Sequence, residues 1–172
     1  MGSSLPKPLS EVPKGISIFI DANVFYLYLR GPTRPREDCT KLLERVEEGE
    51  VEGYTSTLVL DELAYKLLLR KIEEIYRQNP LEVIRRRREA ISEASPYVER
   101  GMEVVLGIDG LRVLSVEPPH LNVLAEYMRR YWLLPRDALH VAVMDWVGCR
   151  DLASADEDFD RVPHIRRWAP SR

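Results

Sequence analysis

The sequence predicts a three-layer α/β sandwich, a central and mainly parallel sheet flanked by helices. Three observations predict it. Short runs rich in β-branched and apolar residues recur at 16–20, 51–56, 111–116 and 151–156. Longer stretches with apolar residues at helical spacing separate them, and strands joined through helices pair in parallel with right-handed crossovers. No internal repeat or linker divides the 172 residues, which suffice for one hydrophobic core.

Taken in order, residues 1–15 read as a polar lead-in without the apolar segment of a signal peptide. Ile16 to Ile20 has no charge and stops at Asp21, as a buried strand stops at a sheet edge. Val24, Phe25, Leu27 and Leu29 suit a helix packed on that sheet, so Asp21 lies where strand becomes helix. After Gly31-Pro32-Thr33, a second helix is expected over 36–48, with Cys39, Leu42, Leu43 and Val46 on one stripe. Val51 to Ser56 forms a strand leading into a long helix capped by Ser56 or Thr57, with Glu62 in its second turn. Asn79-Pro80 stops that helix. Residues 81–110 read as a helical insert of two pieces divided at Pro96.

Leu111 to Val116 is the next strand, and Pro118 and Pro119 open a helix ending near Tyr131. Pro135 opens another, with Asp137 in its first turn. Asp151 to Asp156 is a short strand that again runs into acid, Glu157 to Asp160 a turn, and His164 to Trp168 an edge strand. Residues 169–172 read as a tail, which leaves 16–168 as a single domain.

Composition narrows the function classes. With 45% hydrophobic and 31% charged residues, the chain reads as globular and soluble, and its apolar runs are far shorter than the roughly 20 residues of a membrane span. A cytoplasmic setting and no membrane partner are therefore expected. Cys39 and Cys149 lack the spacing of a zinc site. The net charge of −3 does not mark a generally basic nucleic-acid binder, but most of the 25 basic residues are Arg, gathered in local patches. In Arg85 to Arg88, interleaved with Glu82, Glu89 and Glu93, a solvated helix face is the simpler reading.

The chemistry resides in the acids. Asp21 and Asp156 close two strands, and Glu62 and Asp137 sit in early turns of two helices. If the strands are neighbours, their carboxyl ends lie about 5 Å apart, within reach of one ion. Each acid alone also fits an N-cap, a turn or a solvated helix position. Together and without counter-charge they repel, and a hard dication is what makes such a cluster stable. Oxygen ligands with no Cys or His nearby favour Mg²⁺ or Mn²⁺, and the chemistry such a site serves is phosphoryl transfer through activated water. Arg136, beside Asp137, is the nearest candidate for holding a substrate phosphate, with Arg161 next. His140, one turn after Asp137, reads as a packing or capping residue.

Four motifs, Ile18-Phe-Ile-Asp21-Ala-Asn23, Ser56-Thr-Leu-Val-Leu-Asp61-Glu62-Leu63, Arg136-Asp137-Ala138-Leu139-His140 and Ala153-Ser154-Ala155-Asp156-Glu-Asp158-Phe159, resemble the PIN domain in order and spacing. The resemblance implies a sheet in the order 3-2-1-4-5 and a metal-dependent single-strand ribonuclease, the toxin of a toxin–antitoxin pair in VapC-like members. It implies that Asp21, Glu62, Asp137 and Asp156 form the catalytic, Mg²⁺- or Mn²⁺-binding quartet. Asn23 and Ser154 would support it, with Asp158 as an accessory acid. Single-stranded RNA, a small antitoxin and a second copy of the chain are the implied partners. Ser154 stands where the family often has Thr, Asp61 adjoins Glu62 as a rival second acid, and residues 81–110 are longer than in compact VapC toxins. The alternative is a catalytically silent PIN-like module that binds RNA or protein in a larger assembly. A third reading, phosphate chemistry of another α/β type, is weighed against by the lack of a D-x-D-x-T after the first strand and of a Gly-rich phosphate loop.

Overall fold

Six parallel strands form one sheet in the computed structural model, which describes residues 7–171. They are β1 (Lys7–Pro8), β2 (Ser17–Ile20), β3 (Glu52–Ser56), β4 (Arg112–Leu114), β5 (Asp151–Ala153) and β6 (Arg166–Ala169). The order is β1-β6-β5-β2-β3-β4, every pairing parallel. The expected 3-2-1-4-5 order corresponds to β4-β3-β2-β5-β6, so the difference is a sixth strand beyond β6.

That strand corrects the reading of the first residues as a lead-in. Residues 1–6 lie outside the described residues, but Lys7 and Pro8 pair with Trp168 and Ala169, and Leu9 and Val12 are buried in the core. β6 is therefore not an edge strand. The expected tail is likewise engaged: Ala169 belongs to β6, and the Ser171 amide donates to Asp38 Oδ2 at 2.8 Å.

The helices are α1 (Ala22–Arg30), α2 (Thr33–Glu47), α3 (Thr57–Tyr76), α4 (Pro80–Arg86), α5 (Glu89–Leu106), α6 (Pro118–Tyr131) and α7 (Pro135–Trp146). None of the described helices is long and apolar enough to cross a membrane. α1 packs on α2 and α3, α3 on α5, and α6 on α7. Between these layers Ile18, Phe19 and Ile20 of β2 are wholly buried, as a central strand covered on both faces requires.

The insert departs from expectation in one respect. Pro96 lies inside α5, and the helix break falls at Arg87 and Arg88. A proline inside a helix leaves the carbonyl four residues earlier without its N–H partner. Here the Ser95 hydroxyl donates to that carbonyl, Ser92 O, at 3.0 Å. Further along, α5 lies so close to α3 that a Cβ on Gly101 would stand 2.6 Å from Leu67 Cδ1. The tight approach gives Gly101 a packing reason.

Candidate metal centre

Asp21 follows β2 directly and caps α1, its Oδ1 accepting from the Ala22 amide at 2.7 Å. Its Oδ2 accepts from the Ser154 hydroxyl at 2.7 Å and from the Asn23 side-chain amide. Ser154 stands just past β5, the strand paired with β2, and its Oγ also accepts from Asn23 Nδ2 at 3.0 Å and from the Asp156 amide at 3.0 Å. Asn23 Oδ1 in turn accepts from the Ala155 amide at 2.9 Å. The ends of the two central strands are thus tied into one polar network with Asp21 at its middle.

The other acids arrive from three further places. Ser56 caps α3, accepting from the Val59 amide at 3.2 Å, and so sets the helix that carries Glu62. Asp137 lies in the first turn of α7. Asp156 is not the last residue of β5, which ends at Ala153; it caps the 3₁₀ turn Glu157–Arg161, accepting from the Asp158 amide at 2.9 Å. Asp158 meets Asp137 and Asp156, one oxygen from each lying within 4.8 Å of the others. Asp61 is 72% exposed whereas Glu62 is 17% exposed and lies beside Asp21 and His140.

Charge in this cluster is poorly balanced. Asp21 is buried, and that burial drives its carboxyl above the ordinary range, His140 and Ser154 opposing and Glu62 adding to the rise. Asp137 is pushed up to about 6, first by burial and then by the Asp156, Asp21 and Glu62 carboxylates, with His140 opposing. Those couplings put Asp156, Asp21 and Glu62 within electrostatic reach of Asp137, while the donor atoms fall into two groups, Asp21 and Glu62 with His140, and Asp137 and Asp156 with Asp158. Glu62 behaves oppositely: the His140 imidazole beside it and Lys66 Nζ at 2.7 Å hold it down to about 2 against its own desolvation. Arg136 extends over the rim, Nη1 3.7 Å from Glu62 Oε2 and Nη2 4.0 Å from Asp61 Oδ2. Arg161 pairs with Asp158 at 2.9 Å. A cleft of about 510 Å³ opens beside the cluster, lined by Asn23, Tyr26, Lys66, Arg70 and Ala155 among others.

The sequence profile of the PIN domain matches residues 18–165. The chain belongs to the PIN domain family. Among PIN relatives, ribonuclease VapC13 of Mycobacterium tuberculosis is 30% identical over 154 residues, covering 88% of this chain and 99% of the relative. Ribonuclease VapC2 of Methanocaldococcus jannaschii is 23% identical, covering 86% of this chain and 90% of the relative. The PIN fold also matches solved structures. VapBC2 from Rickettsia felis, bound to a DNA fragment from its promoter, superposes with a TM-score of 0.60 at 14% identity, covering 90% of this chain and 99% of that one. VapC20 of Mycobacterium tuberculosis, a toxin that cleaves the sarcin–ricin loop, gives 0.56 at 17% identity, covering 83% and 92%.

One residue of this PIN site corrects the expectation of an all-oxygen cluster without a nearby His. His140 on α7 is 1% exposed, packs its ring against Phe19, and joins Asp21 and Glu62 with their donor atoms within 4.8 Å of one another. The signal that finds it in the sequence is its spacing: three residues after Asp137, it lies on the same helix face.

Proposed function

We propose that this PIN domain is an endoribonuclease that cuts single-stranded RNA with the help of a divalent cation, Mg²⁺ or Mn²⁺. The observation that carries the reading is the convergence of Asp21, Glu62, Asp137 and Asp156 from four separate elements on the carboxyl end of the sheet. Burial first, and the neighbouring carboxylates after it, raise the Asp137 carboxyl to about 6. Ligands of open α/β sheets bind at that end. The residues fit a cation: mutually repelling oxygens, buried at Asp21 and partly exposed at the other acids, joined by a buried imidazole whose ring nitrogens make no hydrogen bond among the described residues.

In this reading Asp21, Glu62, Asp137 and Asp156 hold the ion, and the ion supplies phosphate polarisation and an activated water. Asn23 and Ser154 fix the rotamer of Asp21, so that its remaining lone pairs are aimed before the ion arrives. Asp158 accompanies Asp137 and Asp156 as an accessory acid. Arg136, tied to its acids only at 3.7 and 4.0 Å, is free to turn its fork to a phosphate of the RNA backbone. Lys66 and Arg70 line the adjoining cleft and offer further cations along the same path.

The toxin role and its small antitoxin partner are supported by the names and assemblies of the PIN relatives, VapC ribonucleases and VapBC and FitAB structures among them. A homodimer, also expected, has exposed apolar side chains to draw on, among them Trp132, Leu134 and Trp146. The deciding assay incubates purified protein with single-stranded RNA after removal of metal by chelator. Cleavage absent in chelator and restored by Mn²⁺ or Mg²⁺ is expected; cleavage indifferent to both additions sinks the metal-dependent reading.

A further inference from the structure

The chain has three histidines, and their surroundings differ. His164 pairs with Asp145, Nε2 to Oδ1 at 3.0 Å. His120 closes the cap of α6, its Nδ1 accepting from the Glu117 amide at 2.7 Å. His140 is 1% exposed, and neither of its ring nitrogens has a hydrogen-bond partner among the described residues. A buried polar group left without a partner is costly, and native folds rarely leave one so. The ring is held against Phe19, with centroids 6.0 Å apart, so its direction is fixed by packing.

That direction is into the acidic cluster. Nε2 stands 3.8 Å from Glu62 Oε2, too far for a hydrogen bond, and donor atoms of Asp21, Glu62 and His140 all fall within 4.8 Å of one another. Two donors each about 2.1 Å from a shared ion are about 3 Å apart when adjacent and about 4.2 Å apart when opposite. The trio therefore already has close to the spacing of ligands around one cation. Its composition differs from that of Asp137, Asp156 and Asp158, which offer oxygen alone.

We infer that His140 is a nitrogen ligand of the cation at this site, completing with Asp21 and Glu62 a mixed nitrogen–oxygen set that favours a transition dication over Mg²⁺. The inference rests on the reading of the cluster as a metal centre. Imidazole is a good ligand for first-row transition ions, whereas Mg²⁺ prefers oxygen donors and retains its waters. The consequence is selectivity within one site: the same acids bind either ion, and His140 adds affinity only for the transition ion.

Mn²⁺ is the probe, because it is paramagnetic. Titration of the intact protein with Mn²⁺ and separately with Mg²⁺, by calorimetry, is combined with pulsed electron paramagnetic resonance of the Mn²⁺ complex. The wild-type complex is expected to show the nitrogen modulation of a bound imidazole. In His140→Gln that modulation disappears and Mn²⁺ binding weakens by about 10- to 100-fold, while Mg²⁺ binding changes by less than about threefold. Circular dichroism of the metal-free variant establishes that it is folded, and the wild-type spectrum needs no variant at all. Mn²⁺ bound without nitrogen modulation overturns the assignment of His140 alone and leaves the metal centre standing. Equal weakening of both ions in the variant assigns His140 to packing. Absence of Mn²⁺ binding by the wild type overturns the metal centre and this inference together.

Discussion

Two buried aspartates at the ends of neighbouring strands have opposite surroundings. Asp151 opens β5 and is 6% exposed; Asp21 follows β2 and is 5% exposed. Asp151 is saturated: Arg166 donates to its two oxygens at 2.6 and 2.9 Å, and Trp168 Nε1 donates at 2.7 Å. Asp21 has neutral donors, from Ala22, Asn23 and Ser154, and no Lys or Arg among the described residues pairs with it. The same contrast extends outward. Asp160 is clasped by Arg167 at 2.8 Å through both oxygens, whereas Asp137 faces carboxylates. Burial therefore does not tell Asp21 from Asp151; the presence of a matched cation does.

The same substitution made at both positions tests that contrast most severely. Asp21→Asn is expected to reduce RNA cleavage at least about 100-fold, as loss of a ligand exceeds the usual effect of losing a supporting contact. It is also expected to raise the melting temperature of the metal-free protein, because a carboxylate that burial holds above its ordinary range destabilises the fold at neutral pH. Asp151→Asn should do the reverse. Removing the charge opposite the Arg166 fork weakens two charge-assisted bonds and destabilises by about 1–3 kcal/mol, with cleavage unchanged where the variant is folded. Thermal melts and cleavage rates on the two variants read all four outcomes. Loss of activity in Asp151→Asn at a temperature where it is folded would break the comparison.

A smaller effect comes from pH. Asp137 moves up from 3.8 to about 6, so between these values the folded state binds more protons than the unfolded one and stability falls as pH rises. Glu62 moves down from 4.5 to about 2, so its contribution is present above 4.5 and is lost as pH falls towards 2. The metal-free protein is then expected to melt higher at pH 5 than at pH 7.5, and Asp137→Asn to flatten that difference. Adding Mn²⁺ at pH 7.5 should recover the lost stability. An unaltered pH slope in Asp137→Asn would show that the charge imbalance lies elsewhere.

Much of this arrangement was legible in the sequence, because its signals are local. A run such as Ile18-Phe-Ile-Asp21 announces a strand end and an acid together, and Pro135 with Asp137 announces a helix start. What was not legible depends on contacts made far along the chain. Two residues, Lys7 and Pro8, are too few to show a strand period, and their pairing needs β6 from the opposite terminus. Pro96 reads as a break unless the Ser95 hydroxyl is seen to satisfy Ser92 O. His140 falls on an apolar helix face, where packing is the ordinary expectation, and only the tertiary structure reveals that both its nitrogens lack a hydrogen-bond partner among the described residues.

Arg136 offers the finest test of the comparison, since arginines distinguish the two regions as clearly as aspartates do. Arg166 and Arg167 each close on a single carboxylate with bonds of 2.6 to 2.9 Å, which fixes their forks in the fold. Arg136 is 45% exposed and reaches its acids only at 3.7 and 4.0 Å, so little ordering would be lost if the fork turned to RNA. Arg136→Ala is therefore expected to leave the melting temperature unchanged within about 1 °C and to raise KM about tenfold, with kcat held within about threefold. One phosphate contact fewer should also flatten the salt dependence of binding single-stranded RNA by about 0.7 in the log–log slope. If kcat falls while KM and the salt slope hold, Arg136 acts on Glu62 rather than on the substrate. The arginine would then belong with the acids of the cluster, as an adjustable counter-charge beside Lys66.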